Sequence, residues 1–524
     1  MAILNGRCRF MRNGSTWARA YRAVPVPSML EEPAAGTATP PASRLTGVMM
    51  SPETRRIPRR FESLLAETAG LAARFEERGF RLYLVGGSVR DAIAGAEEQG
   101  SDDLDFTTDA PPGEIESILS GVSTALWTQG KRFGTIGSMV NGRRCEVTTH
   151  RAEVYNPDSR KPEVAFSTDI ETDLSRRDFT VNAMALRLPD LELIDPFGGT
   201  SDLVAGTLRT PLSPEQSFDD DPLRMLRAAR FIAGRSRTVT QGWPGPLVPD
   251  DRLVSAVSNM HGRLAIVSAE RIRDEFDKLM VAPDPSPGIW FCVETGLAAE
   301  FLPELPALAL EQDPIHRHKD VLAHTIAVVA KTGPDRILRL AALFHDVGKP
   351  ATRSVGSSGV SFHYHDVVGA RITRKRMAAL RYPAADVDDV ATLVELHLRF
   401  HTYRMGWTDS AVRRYVRDAG EHLDRLNELT RCDCTTRNAA KAKALSARMN
   451  ELERRIAELR EQEELDAIRP DLDGNQVMVH LGIKPGPEVG RALEFLTELR
   501  LAEGPLGEPE ALRRLDAWWA EQGR

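Results

Sequence analysis

The stretch Leu82-Tyr-Leu-Val-Gly-Gly-Ser-Val-Arg-Asp91, followed by Asp103-Leu-Asp-Phe106, indicates how the first half of the chain folds. An apolar and aromatic run predicts a buried strand. Two glycines before a helix beginning at Ser88 predict a turn whose backbone can approach an anion closely. We expect the backbone amides of Gly86 and Gly87, together with the Arg90 side chain, to face phosphate groups.

The two aspartates after this turn have a spacing that suits a shared cation. On a strand, residues i and i+2 point to the same face, so Asp103 and Asp105 could together bind divalent cations such as Mg2+. Glu146, on the predicted strand Arg144–Thr149, could add a third carboxylate. Each feature also has a simpler interpretation. The aspartates could form a solvated acidic turn, and Glu146 could be a solvated surface residue on its strand.

Further motifs downstream strengthen the first interpretation. They are Arg176-Arg-Asp-Phe-Thr-Val-Asn-Ala-Met184, Ile194-Asp-Pro-Phe-Gly-Gly199 and Asp220-Asp-Pro-Leu-Arg-Met-Leu-Arg-Ala-Ala-Arg-Phe231. The ordered set resembles the bacterial-type (class II) tRNA nucleotidyltransferases and the related poly(A) polymerases over about residues 61–280. This resemblance implies an α/β nucleotidyltransferase head followed by mostly α-helical regions, and an enzyme that extends an RNA 3′ end without a nucleic-acid template.

The resemblance also implies roles for individual residues. Asp103 and Asp105 would be catalytic and hold Mg2+. From its position on a strand, Glu146 could supply a third catalytic carboxylate near the metal. Asp221 and Arg224 would hydrogen-bond to the Watson–Crick edge of CTP or ATP in place of a template strand, which their donor and acceptor groups allow. The full set of residues implied to bind the nucleotide is Gly86, Gly87, Arg90, Arg177, Asp221, Arg224, Arg227 and Arg230.

The spacing of Asp221, Arg224, Arg227 and Arg230 predicts that all four lie along one helical stripe. An amphipathic surface helix with i,i+3 salt bridges is the simpler alternative, but it would leave three arginines poorly compensated. Between the metal strands and the Arg-Arg-Asp motif, residues 150–166 are rich in turn formers and charges. They predict a mobile loop, and the resemblance implies that this loop assists a switch from CTP to ATP.

A second chemical centre is predicted in the C-terminal half, where most of the twelve histidines lie between His316 and His401. The adjacent His345 and Asp346 after an apolar helix resemble the HD phosphohydrolase superfamily. Imidazole and carboxylate ligands together suit Mn, Ni, Co, Fe or Zn better than Mg. The candidate ligands are His324, His345, Asp346, His365, His397 and Asp433. An HD domain that has lost activity and supports RNA binding is the alternative.

Composition and length are those of an ordinary multidomain protein. The 524 residues carry 27% charged residues and a formal net charge of -7, so RNA contacts must come from local basic patches. The five cysteines show no disulfide framework or zinc spacing, and no apolar run is long enough to span a bilayer, so we expect a cytoplasmic protein. The predicted regions are a disordered extension (1–56), the head (57–193), a helical neck carrying the nucleotide-selecting helix (194–303), the HD domain (304–440) and a helical RNA-binding tail (441–524). Helical structure is expected from about Leu188 to Pro303, and residues 437–466 predict one long exposed helix.

The sequence therefore favours one function and leaves two others open. The leading prediction is addition of CCA to tRNA 3′ ends from CTP and ATP by two-metal nucleotidyl transfer. A poly(A) polymerase would share every motif above. A third possibility is an HD-type metal phosphohydrolase with a vestigial head, against which the intact Asp103 and Asp105 argue.

Overall fold

The computed structural model describes residues 62–94, 103–154, 163–234, 247–310, 320–356, 359–402, 407–434, 439–462 and 468–522. The predicted disordered extension, residues 1–56, lies outside the described residues. So do residues 155–162, the centre of the predicted mobile loop.

The strands lie mainly in the first half of the chain. They are β1 Leu82–Val85, β2 Leu104–Thr108, β3 Ala125–Trp127, β4 Thr135–Val140, β5 Arg143–Thr149, β6 Arg151–Val154, β7 Glu163–Phe166, β8 Ala185–Leu188, β9 Glu192–Ile194, β10 Thr207–Leu208, β11 Val248–Pro249, β12 Arg353–Gly356 and β13 Gly359–Phe362.

Helices occupy most of the remaining described residues. They are α1 Glu62–Glu77, α2 Gly87–Ala94, α3 Pro112–Ser120, α4 Ile170–Ser175, α5 Gly199–Ala205, α6 Pro214–Asp220, α7 Leu223–Ile232, α8 Asp251–Met260, α9 Ala269–Met280, α10 Ser286–Glu294, α11 Ala298–Phe301, α12 Val321–Lys331, α13 Arg336–Phe344, α14 Lys349–Thr352, α15 His365–Ala379, α16 Ala384–Leu396, α17 Arg399–Thr402, α18 Asp409–Ala419, α19 Leu423–Asp433, α20 Ala439–Gln462, α21 Gly474–Leu481, α22 Pro487–Glu503 and α23 Glu508–Glu521.

A seven-stranded mixed sheet organises the first half, with strand order β3-β4-β5-β2-β1-β8-β9. Strands β2 and β5 are parallel, whereas the other neighbouring strands are antiparallel. Alternating side chains on one face, such as Leu84, Phe106 and Val147, join Phe75 of α1 and Ile115 of α3 in a buried apolar cluster. On the opposite face, Tyr83 and Val85 of β1 belong to a second buried apolar cluster with Leu174, Ala183 and Ala185. Asp105 of β2 and Glu146 of β5 lie on the same face, beside this cluster.

The chain forms two compact units. The first comprises the described residues up to Val267 together with Pro287–Leu297, and the second comprises Ser268–Ser286 and the residues from Ala298 onwards. The first unit contains the large sheet and α1 to α8. The second is almost entirely helical, with β12 and β13 as a short antiparallel hairpin. The predicted boundary between neck and HD domain after residue 303 remains a sequence prediction. The two compact units divide instead after Val267, Ser286 and Leu297.

Four local expectations are corrected. Residues 185–194 form the hairpin β8–β9 at the sheet edge, although the helical region was expected to begin near Leu188. The ends of the predicted loop pair as β6 and β7. Asp221 does not lie on the helix with the arginines, because Pro222 follows it and disfavours helical geometry at the preceding residue.

The tail helix is the fourth. A single long helix was predicted over about residues 437–466, and α20 confirms the helix, but not its full exposure. Met449, Leu452, Ile456 and Leu459 are buried on one side of α20. Their spacing of three and four residues is the ordinary pattern of a helix packed against a core.

Candidate active site and metal centre

The predicted head carboxylates meet on one face of the large sheet. Asp105 of β2 is paired in register with Glu146 of the neighbouring parallel strand β5. Asp103 lies immediately before β2, so it precedes the strand rather than belonging to it. Oxygen ligands in such a group match the preference of Mg2+ and other hard cations.

The pKa of Asp105 reflects desolvation first and the neighbouring carboxylates second. Its side chain reaches solvent at the cleft, but the surrounding protein desolvates it from the other sides and raises its pKa to about 6. Arg177 opposes this shift, whereas the negative charges of Glu146 and Asp103 add to it. A cation bound between the carboxylates would relieve this repulsion, so the residues present fit a divalent metal.

The glycine turn lies beside the carboxylates. Gly86 adopts a φ of 73°, a conformation that favours glycine. A Cβ at this position would lie 3.5 Å from Arg177 Nη1 and 3.7 Å from Asp105 Oδ2, so the turn leaves room for a ligand close to both groups. The Arg90 side chain was expected to face phosphate groups, but the structure places it in the interior. Its side chain is only 3% exposed and donates hydrogen bonds to Asp91 and Asn182.

Asp178 links the motifs of this region, and sequence reasoning did not single it out. Its Oδ2 accepts hydrogen bonds from Arg227 Nε at 2.9 Å and Nη2 at 2.6 Å, and its Oδ1 accepts one from Asn182 Nδ2 at 2.9 Å. Burial would raise the pKa of Asp178, but Arg227 and these hydrogen bonds lower it to about 2. Since Asn182 also accepts from Arg90, one network connects the α2, Arg-Arg-Asp and α7 segments.

The proposed base-selecting residues lie where α6 meets α7. Asp221 ends α6 in an extended conformation, and its Oδ1 accepts from the backbone N–H of Leu223 at 3.2 Å. Arg224 is buried and donates to Ser217 Oγ at 2.9 Å and to the carbonyl oxygen of Arg176. Arg224 is therefore fixed against the Arg-Arg-Asp segment.

A cleft of about 390 Å³ collects many of the predicted residues, and this volume is in the range typical of small-ligand sites. The predicted residues that line it are Asp105, Glu146, Arg177, Asp221, Arg224 and Arg227. The predicted residues that are not among its lining are Gly86, Gly87, Arg90, Asp103 and Arg230. Asp173, Arg176 and Asp178 line it as well and were not predicted as site residues.

The second unit brings all six predicted HD ligands together in two groups. His324, His345 and Asp433 form one, and Asp346, His365 and His397 form the other, with candidate ligand atoms within 4.8 Å of one another in each group. His324 Nε2 lies 2.9 Å from Asp433 Oδ1, and His345 Nε2 lies 3.3 Å from Asp346 Oδ2. Asp346 Oδ1 in turn lies 3.5 Å from His365 Nε2. The carboxylate of Asp346 therefore connects the two groups.

Backbone carbonyl groups orient three of these histidines. The Nδ1 atoms of His345, His365 and His397 lie 2.6–2.7 Å from the carbonyl oxygens of the residues three positions earlier. An Nδ1–H donated to a carbonyl leaves Nε2 as the ligand atom. His397 Nε2 is buried and has no hydrogen-bond partner among the described residues, and burial lowers the pKa of His397 to about 4. A neutral, unsatisfied imidazole nitrogen fits a metal ligand.

Charges around Asp346 keep it ionised. Burial favours the neutral acid, but His345 and Lys349 hold the pKa of Asp346 well below its usual range. Lys349 Nζ lies 2.6 Å from Asp346 Oδ2. A third group, Asp389, Glu421 and His422, also has potential ligand atoms within 4.8 Å, although Glu421 is exposed. Sequence spacing gave no signal for it, because Asp389 lies on α16, well before the adjacent Glu421 and His422.

Comparisons with known proteins agree with this geometry. A family model described as a poly A polymerase head domain matches residues 82–209, and one described as a probable RNA and SrmB-binding site of polymerase A matches residues 249–308. A model of the HD domain matches residues 321–457. The fold, the carboxylate cleft and these matches define the class of protein as nucleotidyltransferases with a fused HD domain.

Relatives that match over most of their length narrow the class. An A-adding tRNA nucleotidyltransferase of Deinococcus radiodurans is 35% identical, over 84% of this chain and 95% of that protein. A CC-adding tRNA nucleotidyltransferase of Thermus thermophilus is 30% identical, over 83% of this chain and 93% of that protein. The chain belongs to the tRNA nucleotidyltransferase family, which confirms the resemblance seen in its motifs.

Solved structures support the fold class. The structure of the Bacillus stearothermophilus CCA-adding enzyme in complex with CTP matches with a TM-score of 0.64 at 22% identity, covering 89% of this chain and 99% of that one. The predicted α/β head followed by mostly helical regions is therefore confirmed. Among the described residues, no helix combines the length and apolar character needed to cross a membrane.

Proposed function

We propose that this enzyme completes the CCA end of tRNA by adding nucleotides from CTP and ATP. The observation that carries the proposal is the cleft lined by Asp105, Glu146, Arg177 and Arg227, in a chain of the tRNA nucleotidyltransferase family. Its carboxylates suit metal ions, and its guanidinium groups suit a triphosphate. The near full-length relatives carry the names of A-adding and CC-adding enzymes, so the point at which addition stops is the feature to measure.

In this proposal, Asp103 and Asp105 hold Mg2+, with Glu146 as a third carboxylate. Bound metal would lower the pKa of the RNA 3′-hydroxyl and neutralise charge on the leaving pyrophosphate. The Gly86–Gly87 turn lets the triphosphate approach the backbone, and Arg177 binds it beside Asp105. Arg227 is held by Asp178, which fixes the direction of its guanidinium group.

Base selection is assigned to the corner between α6 and α7. The carboxylate of Asp221 would accept from the exocyclic amine that cytosine and adenine share, and uracil and guanine lack that amine at the matching position. Arg224 would donate to ring nitrogen or carbonyl atoms. Its hydrogen bonds to Ser217 and to the Arg176 backbone hold it in position for this contact.

Product length tests the proposal. A tRNA transcript without its last three nucleotides is incubated with Mg2+ and labelled CTP, labelled ATP or both. We expect two additions with CTP alone and three with both nucleotides, after which extension stops. A single A added only to a transcript ending in CC would identify an A-adding enzyme, and two additions with no A would identify a CC-adding one. Long tails from ATP alone would identify a poly(A) polymerase.

We propose a second function for the HD centre, because its six candidate ligands lie in two close groups and His397 Nε2 is buried with no hydrogen-bond partner in the part of the chain that the structure describes. The ligands His324, His345, Asp346, His365, His397 and Asp433 would hold one or two transition metal ions. With such ions bound, the centre would hydrolyse a phosphate ester. Purified protein assayed with 2′,3′-cyclic nucleotides and phosphomonoesters, with Mn2+, Ni2+ or Co2+ added, should release product. No metal-stimulated hydrolysis of either substrate would contradict this second function.

A further inference from the structure

A row of residues crosses the large sheet from the carboxylates to its edge. Asp105 of β2 is in register with Glu146 of β5, Glu146 with Gly137 of β4, and Gly137 with Trp127 of β3. Residues in register on neighbouring strands point to the same face. The neighbour of Trp127 in the chain, Leu126, packs against the apolar cluster on the opposite face. Trp127 therefore shares the face that carries the carboxylates.

The glycine in this row makes space for the indole ring. A Cβ at Gly137 would lie 3.3 Å from Trp127 Cε3, so the ring extends over the glycine. Trp127 is nevertheless 38% exposed, which is unusual for the largest apolar side chain. The result is an aromatic surface that lies along the sheet towards Glu146 and remains open to solvent.

Arg144 joins this aromatic surface to the carboxylates. Its guanidinium carbon lies 5.8 Å from the centre of the Trp127 ring. Its Nη2 donates to Glu146 Oε1 at 3.1 Å, and its Nε lies 3.6 Å from Asp103 Oδ2. Arg144 is half-exposed, so the planar guanidinium and the indole together offer a surface on which a nucleobase can stack.

The position of this surface indicates which substrate it contacts. Neither Trp127 nor Arg144 lines the cleft that contains Arg177 and Arg227, the arginines assigned to the triphosphate, and Trp127 lies two strands beyond Glu146 in the sheet. The reaction brings two substrates to the carboxylates, the nucleotide and the RNA 3′-hydroxyl. A stacking surface outside the nucleotide cleft, joined to the carboxylates through Arg144, therefore suits the RNA acceptor.

We propose that Trp127, assisted by Arg144, stacks on the base of the acceptor's 3′-terminal nucleotide and positions its 3′-hydroxyl at the carboxylates. This inference rests on the proposed nucleotide addition to RNA. Trp127 is a positioning residue in it, since the ring contacts the acceptor base and not the reacting atoms. Stacking on an aromatic surface tolerates any base, which suits an acceptor whose terminal nucleotide changes at each addition.

The test combines a protein change with an RNA change. Two transcripts without the last three nucleotides are used, one intact and one whose 3′-terminal nucleotide lacks its base. Trp127→Ala should raise the KM for the intact acceptor about tenfold and leave the KM for CTP unchanged. For wild-type protein, removing the base should raise the KM for the acceptor by a similar factor. For Trp127→Ala, removing the base should leave the KM for the acceptor nearly unchanged. Trp127→Phe, which keeps an aromatic ring, should restore most of the acceptor affinity.

Controls separate this inference from the proposed function. Leu193→Ala removes an exposed apolar side chain from β9, at the other edge of the same sheet, and should leave the KM for the acceptor unchanged. Equilibrium binding of the two transcripts is measured alongside addition and gives the same comparison without turnover. If Trp127→Ala with the base-free transcript raises KM by the product of the two separate factors, the ring and the base act independently. The stacking contact is then absent and this inference is wrong. A wild-type protein that binds tRNA but adds no nucleotide would contradict the proposed function instead.

Discussion

The cleft of the head and the HD centre both contain carboxylates, but the surroundings of these carboxylates have opposite effects on their pKa values. Asp105 reaches solvent at the cleft, and desolvation, followed by repulsion from Glu146 and Asp103, raises its pKa. In the HD centre, Asp346 is buried, stays ionised, and has His345 and Lys349 beside it. The head thus needs cations and a triphosphate to balance its charges, whereas the HD centre has its ligands oriented in advance by backbone carbonyls.

The largest expected effect follows from removing a carboxylate of the head. Asp105→Ala should lower kcat/KM for nucleotide addition by at least about 1,000-fold, because a metal-binding group contributes several kcal/mol to the transition state. Incorporation of labelled CTP measures the loss. Asp109→Ala, which removes a carboxylate that pairs with Arg81 outside the cleft, is the control. Near-normal turnover in Asp105→Ala would remove the central role given to this residue.

The HD centre should show its largest change in metal content. The double variant His345→Gln/Asp346→Asn removes two ligands while keeping side-chain size, and should purify with at least about tenfold less bound transition metal than wild type. Elemental analysis of the purified proteins measures it. His363→Ala, an exposed histidine two residues before His365, should retain the metal. Equal metal content in wild type and the double variant would show that these residues are not ligands.

The Asp178 network should appear as pH-dependent stability. The folded-state pKa of Asp178 lies near 2, below its unfolded value, so its ionisation stabilises the fold by about 2 kcal/mol above pH 4. This contribution is lost as the pH falls from about 4 towards 2. The free energy of unfolding of Asp178→Asn, measured with urea, should lie below that of wild type at pH 6, and the difference should shrink by pH 3. A constant difference across this range would argue against the ion pair with Arg227.

The smallest expected effect concerns base selection. Asp221→Ala should reduce the preference for CTP over UTP, measured as the ratio of kcat/KM values, by about tenfold, because a hydrogen-bond partner of the base in the cleft is lost. Asp219→Ala removes an exposed carboxylate two residues earlier and should leave the ratio unchanged. An unchanged preference in Asp221→Ala would limit this residue to its hydrogen bond with the Leu223 amide.

Sequence patterns could identify the carboxylates and HD ligands because their chemistry is carried by short motifs. Alternation predicted that Asp103 and Asp105 share one face of a strand, and the structure places Asp103 just before β2 and Asp105 in register with Glu146. Spacing could not give the tertiary pairings, however. Arg90 is buried against Asn182, and Asp178 holds Arg227 at a sequence separation of 49 residues. Such pairs depend on packing that no local pattern encodes.

Other misses had local signals. Pro222 disfavours helical geometry at Asp221, so the break between α6 and α7 was available from the sequence. The apolar positions of α20 recur at three and four residues, which indicates a buried side on a helix that was expected to be fully exposed. In both cases charge patterning was given more weight than a backbone or packing signal.

The head cleft and the HD centre lie in different compact units and share none of their residues, so we expect them to act independently, and one crossed measurement tests this most directly. Wild type, Asp105→Ala and His345→Gln/Asp346→Asn are each assayed for nucleotide addition to tRNA and for metal-stimulated phosphate-ester hydrolysis, with thermal unfolding as a check on folding. We expect Asp105→Ala to lose addition and keep hydrolysis, and the HD double variant to lose hydrolysis and keep addition. Loss of both activities in either well-folded variant would contradict the account.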